Sequence, residues 1–210
     1  MEKIERTIAK HLLQIKAIKL EPAKPFLWAS GWHSPIYCDN RLVLSFPETR
    51  ELVKQSFCDL IRKNYPSVTL IAGVATGAIA HGALVAGQLG LPFAYVRPSA
   101  KEHGLTNMIE GMVKAGDRVV VIEDLVSTGK SSLSAVQVLR ESGCEIMGML
   151  AIFTYMFDVA RENFRKSSCH LETLTNYFAL VEVALEMGII DNRQLKTLQD
   201  WRSDPSNWNG

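Results

Sequence analysis

Glu123 and Asp124 stand side by side after an apolar run, and Ser127, Thr128, Gly129, Lys130 and Ser131 follow almost at once. Adjacent carboxylates suit sugar hydroxyls or a metal ion. A small hydroxylated loop that opens a helix suits a phosphate, because the first-turn amides of a helix have no partner within it. A ligand that satisfies both demands carries a phosphate beside hydroxyl groups, as a phosphorylated sugar does. Gly129-Lys130-Ser131 also ends a Walker A loop, but that motif needs a glycine five residues earlier, where this chain has Asp124. A carboxylate there would repel a nucleotide's phosphates, so the P-loop reading fails.

Two further segments carry candidate chemistry. Residues 97–104, with Arg97, Lys101 and His103, precede a polar stretch closed by Gly111. Three potential cations in a glycine-bracketed stretch have the makeup of a mobile lid for an anion. Residues 29–41 concentrate Trp32, His33, Tyr37 and Arg41 around Ser-Gly and Ser-Pro turns. A fourth segment, from Gly73 to Ala80, is small enough to bring its backbone amides close to a ligand. It is equally compatible with a tight strand-to-helix connection.

The elements that must position these residues follow from hydrophobic periodicity. Ile4, Ile8, Leu12 and Ile15 predict an amphipathic helix over residues 2–19, stopped near Pro22 and Pro25. Short strands joined by a turn are expected between Phe26 and Leu44, and Pro47 opens a helix to about Lys63. Four apolar runs then follow, at 68–74, 92–96, 118–122 and 146–153, with helical stretches between three of them. Apolar runs without alternation belong to strands buried on both faces, and helical connections imply a parallel sheet. The fold class is therefore α/β, doubly wound, with a central mostly parallel sheet flanked by helices. Tyr177, Leu180, Val181, Ala184 and Leu185 mark a helix ended by Gly188, and Asp191 with Gln194 forms a capping box for a last one.

Composition limits the partners. The 210 residues hold 23 Lys+Arg against 22 Asp+Glu, a formal charge of +1, so no field exists to attract nucleic acid or an anionic membrane. Any anion must be held locally. Cys38, Cys58, Cys144 and Cys169 are far apart and form no CxxC pair, which fits a reduced, cytoplasmic protein. The charged N-terminus lacks the apolar stretch of an export signal, and the run from Leu70 to Gly87 is interrupted by Thr76 and His81, so no membrane span is expected.

The Arg118–Ser132 segment resembles the phosphoribosyl diphosphate (PRPP) motif of type I phosphoribosyltransferases. That resemblance implies their fold, a single domain over 1–210 with a core at about 46–175, and a small hood made of residues 1–45 with the C-terminal helices. The 97–104 string resembles the catalytic loop of orotate phosphoribosyltransferases, and 29–41 resembles their SG-x-x-SP-x-Y segment. The family implied is orotate phosphoribosyltransferase, which joins PRPP to orotate and releases orotidine 5'-monophosphate and diphosphate in pyrimidine biosynthesis.

By that resemblance Lys101 and Asp124 are the catalytic residues. PRPP is expected to contact Arg97, Lys101, His103, Glu123, Asp124, Leu125, Val126, Ser127, Thr128, Gly129, Lys130 and Ser131. Orotate is expected to contact Ser127, Tyr37 and Arg41. Mg²⁺, held largely through PRPP oxygens and by no dedicated protein site, is the implied cofactor. A homodimer that shares the lid between subunits is the implied assembly, with no nucleic acid or membrane partner, and no fused decarboxylase is expected at this length. One branch of the family has lysine where this chain has Ala29, Tyr-Lys where it has Thr76-Gly77, a basic residue in place of Pro98, and an arginine near 153–155. The chain therefore resembles a second branch, and Arg41 is the candidate for the orotate carboxylate. Two readings compete with it: a PRPP-sensing regulator, which would not need the Lys101 lid, and a phosphoribosyltransferase for another base, which the 29–41 segment argues against.

Overall fold

The computed structural model describes residues 2–28, 31–98 and 108–208. Its centre is a six-stranded sheet built from β5 (Leu70–Val74), β6 (Phe93–Val96), β7 (Ile109–Glu110), β8 (Arg118–Val126), β9 (Glu145–Thr154) and β10 (Leu171–Asn176), in the order β10-β9-β8-β5-β6-β7. Every pairing is parallel except that of β6 with β7.

The strands bury both faces. Ile71, Val120, Ile122, Leu150 and Ile152 pack on one side with α1 (Glu2–Gln14), α2 (Pro47–Asn64), α3 (Ile79–Leu89), α6 (Tyr177–Glu186) and α7 (Asn192–Ser203). Leu70, Ala72, Val119, Val121 and Met149 pack on the other with α4 (Lys130–Glu141) and α5 (Asp158–Lys166). The two-residue alternation along β8 decides everything that follows, since Glu123 continues one face and Asp124 the other.

The chain runs from β5 through α3 to β6 on one side and then returns to β8 on the other side of β5. The order reverses there, and in sheets of this kind the crevice at the carboxyl ends of the strands flanking such a reversal takes the ligand. The loops after β5, β6 and β8 are three of the four segments that carry the candidate chemistry; the fourth, residues 29–41, precedes the sheet.

Several expectations are corrected. The first helix stops at Gln14 rather than near residue 19, because Lys16 takes a left-handed conformation (φ 58°) and Ile18–Leu20 becomes a strand, β1, paired antiparallel with β4 (Ile36–Cys38). Between them lies a hairpin of β2 (Phe26–Leu27) and β3 (His33–Ser34). Asn40–Ser45 is a 3₁₀ helix rather than strand, started by Asp39, whose carboxylate accepts from the Arg41 amide. Strand β8 runs past Ile122 to Val126, so the carboxylates lie inside the ladder, with Glu123 opposite Ala151. Strands β7 and β10 are short or lack a clear period and lie outside the sequence reading, as does α5, although that helix is amphipathic, with Ala160 and Phe164 on its buried face. Helices α2, α6 and α7 form as read, the last with its Asp191–Gln194 capping box intact.

Candidate active site

Asp124 lies near the carboxyl end of β8, and Gly77 in the β5–α3 turn is packed against its carboxylate. A Cβ on Gly77 would stand 2.2 Å from Asp124 Oδ2, so no other residue fits without moving the carboxylate. From a third direction Asn40 Nδ2 donates to the Asp124 backbone carbonyl at 2.6 Å. Three segments distant in sequence thus converge on one acid.

Glu123 diverges from it across the strand. Its carboxylate is buried, accepts from Ser132 Oγ at 2.8 Å and takes the Asp124 amide at 3.0 Å. Burial pushes the Glu123 carboxyl well above its ordinary value, and the neighbouring Asp124 charge adds to the rise, while the Ser132 bond opposes it. The two adjacent acids are therefore not an equivalent pair: Asp124 is the partly exposed one.

Beyond β8 the chain turns at Ser127 and Thr128 into α4. Leu125 and Val126 remain in the ladder opposite Phe153 and Thr154. Gly129 caps α4 in a left-handed conformation (φ 78°), and a Cβ there would meet Phe164 of α5 at 2.6 Å, so glycine is required twice over. Asn163 of α5 donates to the Thr128 carbonyl at 3.0 Å. No side chain caps the first turn of α4, and Lys130 and Ser131 are exposed there.

A cavity of about 400 Å³ opens beside this turn, lined among others by Ala75, Arg97, Thr128, Lys130 and Ser131. A second of about 510 Å³ shares Ala75 and Arg97 and reaches Thr76, Tyr95 and Glu110. Arg97 pairs with Glu110 at 3.6 Å, and its buried Nη1 has no hydrogen-bond acceptor among the described residues. A guanidinium nitrogen left without an acceptor in the wall of a cavity is suited to an anion. Lys101 and His103 lie outside the described residues.

On the opposite side, Tyr37 of β4 is 40% exposed, with its ring 5.5 Å from that of Phe26. Arg41 grips Asp39 with two bonds, Nε to Oδ1 at 2.6 Å and Nη2 to Oδ2 at 2.9 Å. That contact holds the Asp39 carboxyl below its usual range. The same contact raises the pKa of the Arg41 guanidinium, and the Tyr37 phenol and the negative charge of Asp124 add to the rise.

Sequence reasoning placed Gly77 in the small-residue turn after β5 but gave no individual role to it or to Asn40, Ser132 and His81. His81 of α3 is 2% exposed and lies near the Asn40 backbone. Burial lowers the pKa of its ring, against the pull of the Asn40 backbone and Asp124. The one available signal was a histidine in an otherwise apolar run; nothing local marks the other three.

Among the described residues no cluster of three or more His, Cys, Asp or Glu side chains is arranged to hold a metal ion. A hard cation could still use the Asp124 oxygens, provided the ligand supplied most of its coordination.

A sheet reversing at β5, an exposed acid beside an uncapped helix start and an arginine-walled cavity together define a phosphoribosyltransferase, and the Phosphoribosyl transferase domain family matches residues 46–186. Full-length similarity narrows the class: the orotate phosphoribosyltransferase of Bacteroides thetaiotaomicron is 55% identical over 99% of this chain and 98% of its own, and that of Cytophaga hutchinsonii 51% over 97% of each. The chain belongs to the orotate phosphoribosyltransferase family. Among solved structures, the Aeropyrum pernix orotate phosphoribosyltransferase superposes with a TM-score of 0.75 at 27% identity, covering 88% of this chain and 99% of that one. Leishmania donovani UMP synthase gives 0.79 at 25%, covering 95% of this chain, which spans 42% of that protein's length.

Proposed function

We propose that this site transfers the ribose 5-phosphate of PRPP to orotate, forming a C1–N bond as the C1–O bond to diphosphate breaks and releasing orotidine 5'-monophosphate. The observation that carries this reading is the position of Asp124, between the α4 turn on one side and the Tyr37–Arg41 segment on the other. A ribose against Asp124 puts its 5'-phosphate at Ser127–Ser131 and its C1 toward Tyr37.

The roles divide accordingly. The amides and hydroxyls of Ser127, Thr128, Gly129, Lys130 and Ser131 take the 5'-phosphate, with Leu125 and Val126 holding the turn in register. Asp124 takes the ribose hydroxyls, with Glu123 behind it. Arg97, Lys101 and His103 neutralise the diphosphate, and Lys101 acts most strongly where charge develops on the leaving group. Tyr37 stacks on orotate, Ser127 reaches it from the phosphate side, and Arg41 turns its remaining guanidinium donors to the carboxylate.

Fixed positive charge and alignment do most of the work, since the protein forms no covalent bond with the substrate. Mg²⁺ would be held at Asp124 and the ligand's oxygens, and would supply Lewis-acid stabilisation of the departing diphosphate.

We also read residues 1–210 as one domain, with a core at 46–175 and a hood of residues 1–45 plus the C-terminal helices. The bond from Trp201 Nε1 to the His33 carbonyl, at 3.2 Å, supports that hood. The four cysteines are all free thiols, which fits a reducing cytoplasm, and no described helix is long and apolar enough to cross a membrane. A homodimer sharing its 97–111 lids completes the proposal. Sedimentation that found a fully active monomer would remove it.

The decisive assay mixes protein, PRPP, Mg²⁺ and orotate and follows the loss of orotate absorbance. Turnover is expected with orotate and not with adenine or hypoxanthine. Turnover with a purine alone would overturn the choice of base.

A further inference from the structure

Asn40 has no role in the division of labour above, yet it is the direct link between the two halves of the site. It is 1% exposed and opens the 3₁₀ turn, with Tyr37 three residues before it and Arg41 immediately after. Its side-chain amide reaches 84 residues along the chain to the Asp124 carbonyl. His81 of α3 is buried near the Asn40 backbone. Two further buried acceptors, Asn40 Oδ1 and His81 Nε2, have no partner among the described residues. Leaving such atoms unpaired costs stability, so a greasy residue at either place would serve packing better.

Polar groups kept at that cost are doing something other than filling space. The one bond Asn40 Nδ2 makes fixes the height of the Asp124 main chain relative to the Tyr37–Arg41 segment. Reaction needs the base nitrogen and the ribose C1 in line at near contact distance, and a displacement of about 1 Å is enough to cost about a hundredfold in rate. Asp124 sets where the ribose lies, and Tyr37 and Arg41 set where the base lies. The separation between them is governed by whatever joins the two supports.

We infer that Asn40 is a positioning residue that sets the spacing between the base-binding segment and the ribose-binding acid. This rests on the assignment of orotate to the Tyr37–Arg41 side and of PRPP to the Asp124 side. It acts on neither substrate directly. Losing it should therefore leave PRPP binding to the free enzyme intact, while orotate binding to the enzyme–PRPP complex and turnover both fall.

The test uses Asn40→Leu, which keeps the volume and removes the donor, and Asn40→Ala in case leucine does not fold. PRPP affinity is measured by calorimetry with Mg²⁺, orotate KM and kcat by absorbance, and folding by thermal melting. Expected are a PRPP Kd within about twofold of the parent, and kcat lower by at least about tenfold with a raised orotate KM. A fall of PRPP and orotate affinity in step, unchanged kinetics in a folded variant, or failure of both variants to fold would overturn the assignment. The parent enzyme, run alongside, tests the underlying reading separately: if it does not use orotate, the choice of base fails before Asn40 is at issue.

Discussion

The turn from β8 into α4 and the segment from Phe26 to Ser45 face each other across the crevice, and they are held in different ways. Much of the first is fixed by near neighbours in sequence: Ser132 bonds Glu123 nine residues away, and Gly129 adopts the conformation that starts the helix. Among its described residues the second has strands of two or three residues and one short 3₁₀ helix. Its shape comes from afar, through Asn40 to Asp124, Trp28 against Tyr155 and Trp201, and Trp201 to His33. A phosphate site can be written locally because it needs amides at a helix start. A base site has to be carried to its place by the rest of the fold.

The strongest way to break that contrast is to remove Trp201. It is fully buried among Trp28, Tyr155, Phe157 and Tyr177, so Trp201→Ala should cost about 3–5 kcal/mol in urea unfolding, and orotate KM should rise more than PRPP KM. Equal effects on both substrates would mean that the two regions are not separately supported. Next in size is Asp124→Asn, expected to lower turnover by about a hundredfold or more with little change in melting temperature, because its side chain is only partly buried.

Gly77→Ala sharpens the contrast from the other side. The added methyl must displace the Asp124 carboxylate, so turnover should drop by about tenfold to a hundredfold while the protein stays folded. Normal turnover would show that the carboxylate need not stay where it is.

The smallest effect concerns acid stability. The His81 ring has a folded pKa below the ordinary 6.5 because of burial. The unfolded chain therefore takes up a proton first as pH falls, so the stability His81 contributes is complete above about pH 6.5 and is lost as pH falls toward the folded value. In His81→Gln that decline should flatten, by no more than about 1.4 kcal/mol per pH unit, the limit for one proton. Parallel stability curves for the two proteins would show that His81 titrates normally.

Glu123, by contrast, should oppose folding as pH rises. Its raised pKa means stability is complete below the ordinary carboxyl value and is lost as pH rises through the folded one. The opposed signs separate the two buried groups in any pH profile.

Much of the architecture was legible in advance. The unbroken apolar runs gave away the parallel strands, and the caps of α6 and α7 were readable because a cap is a short-range device. Strands β7 and β10 were not, because two residues carry no period and Leu171–Asn176 pairs as an edge with polar alternation. The same division runs through the site. Arg97, Glu123, Asp124 and Ser127–Ser131 stand out by type and spacing alone, whereas Asn40 and Gly77 have meaning only through Asp124, far away in the sequence.

By itself, then, the sequence determined the α/β class, the acidic strand end, the small hydroxylated turn that opens a helix and the near balance of charge. These depend on periodicity, local backbone chemistry and charge balance, all of which act within a few residues or sum over the whole chain. Only the tertiary structure decided that Glu123 is buried against α4 while Asp124 faces the crevice, because strand alternation sends neighbours to opposite faces and the packing of each face sets their fates. It also decided which glycine yields room to the acid and which asparagine ties that acid to the base-binding segment, since both depend on close approach between parts of the chain that nothing local brings together.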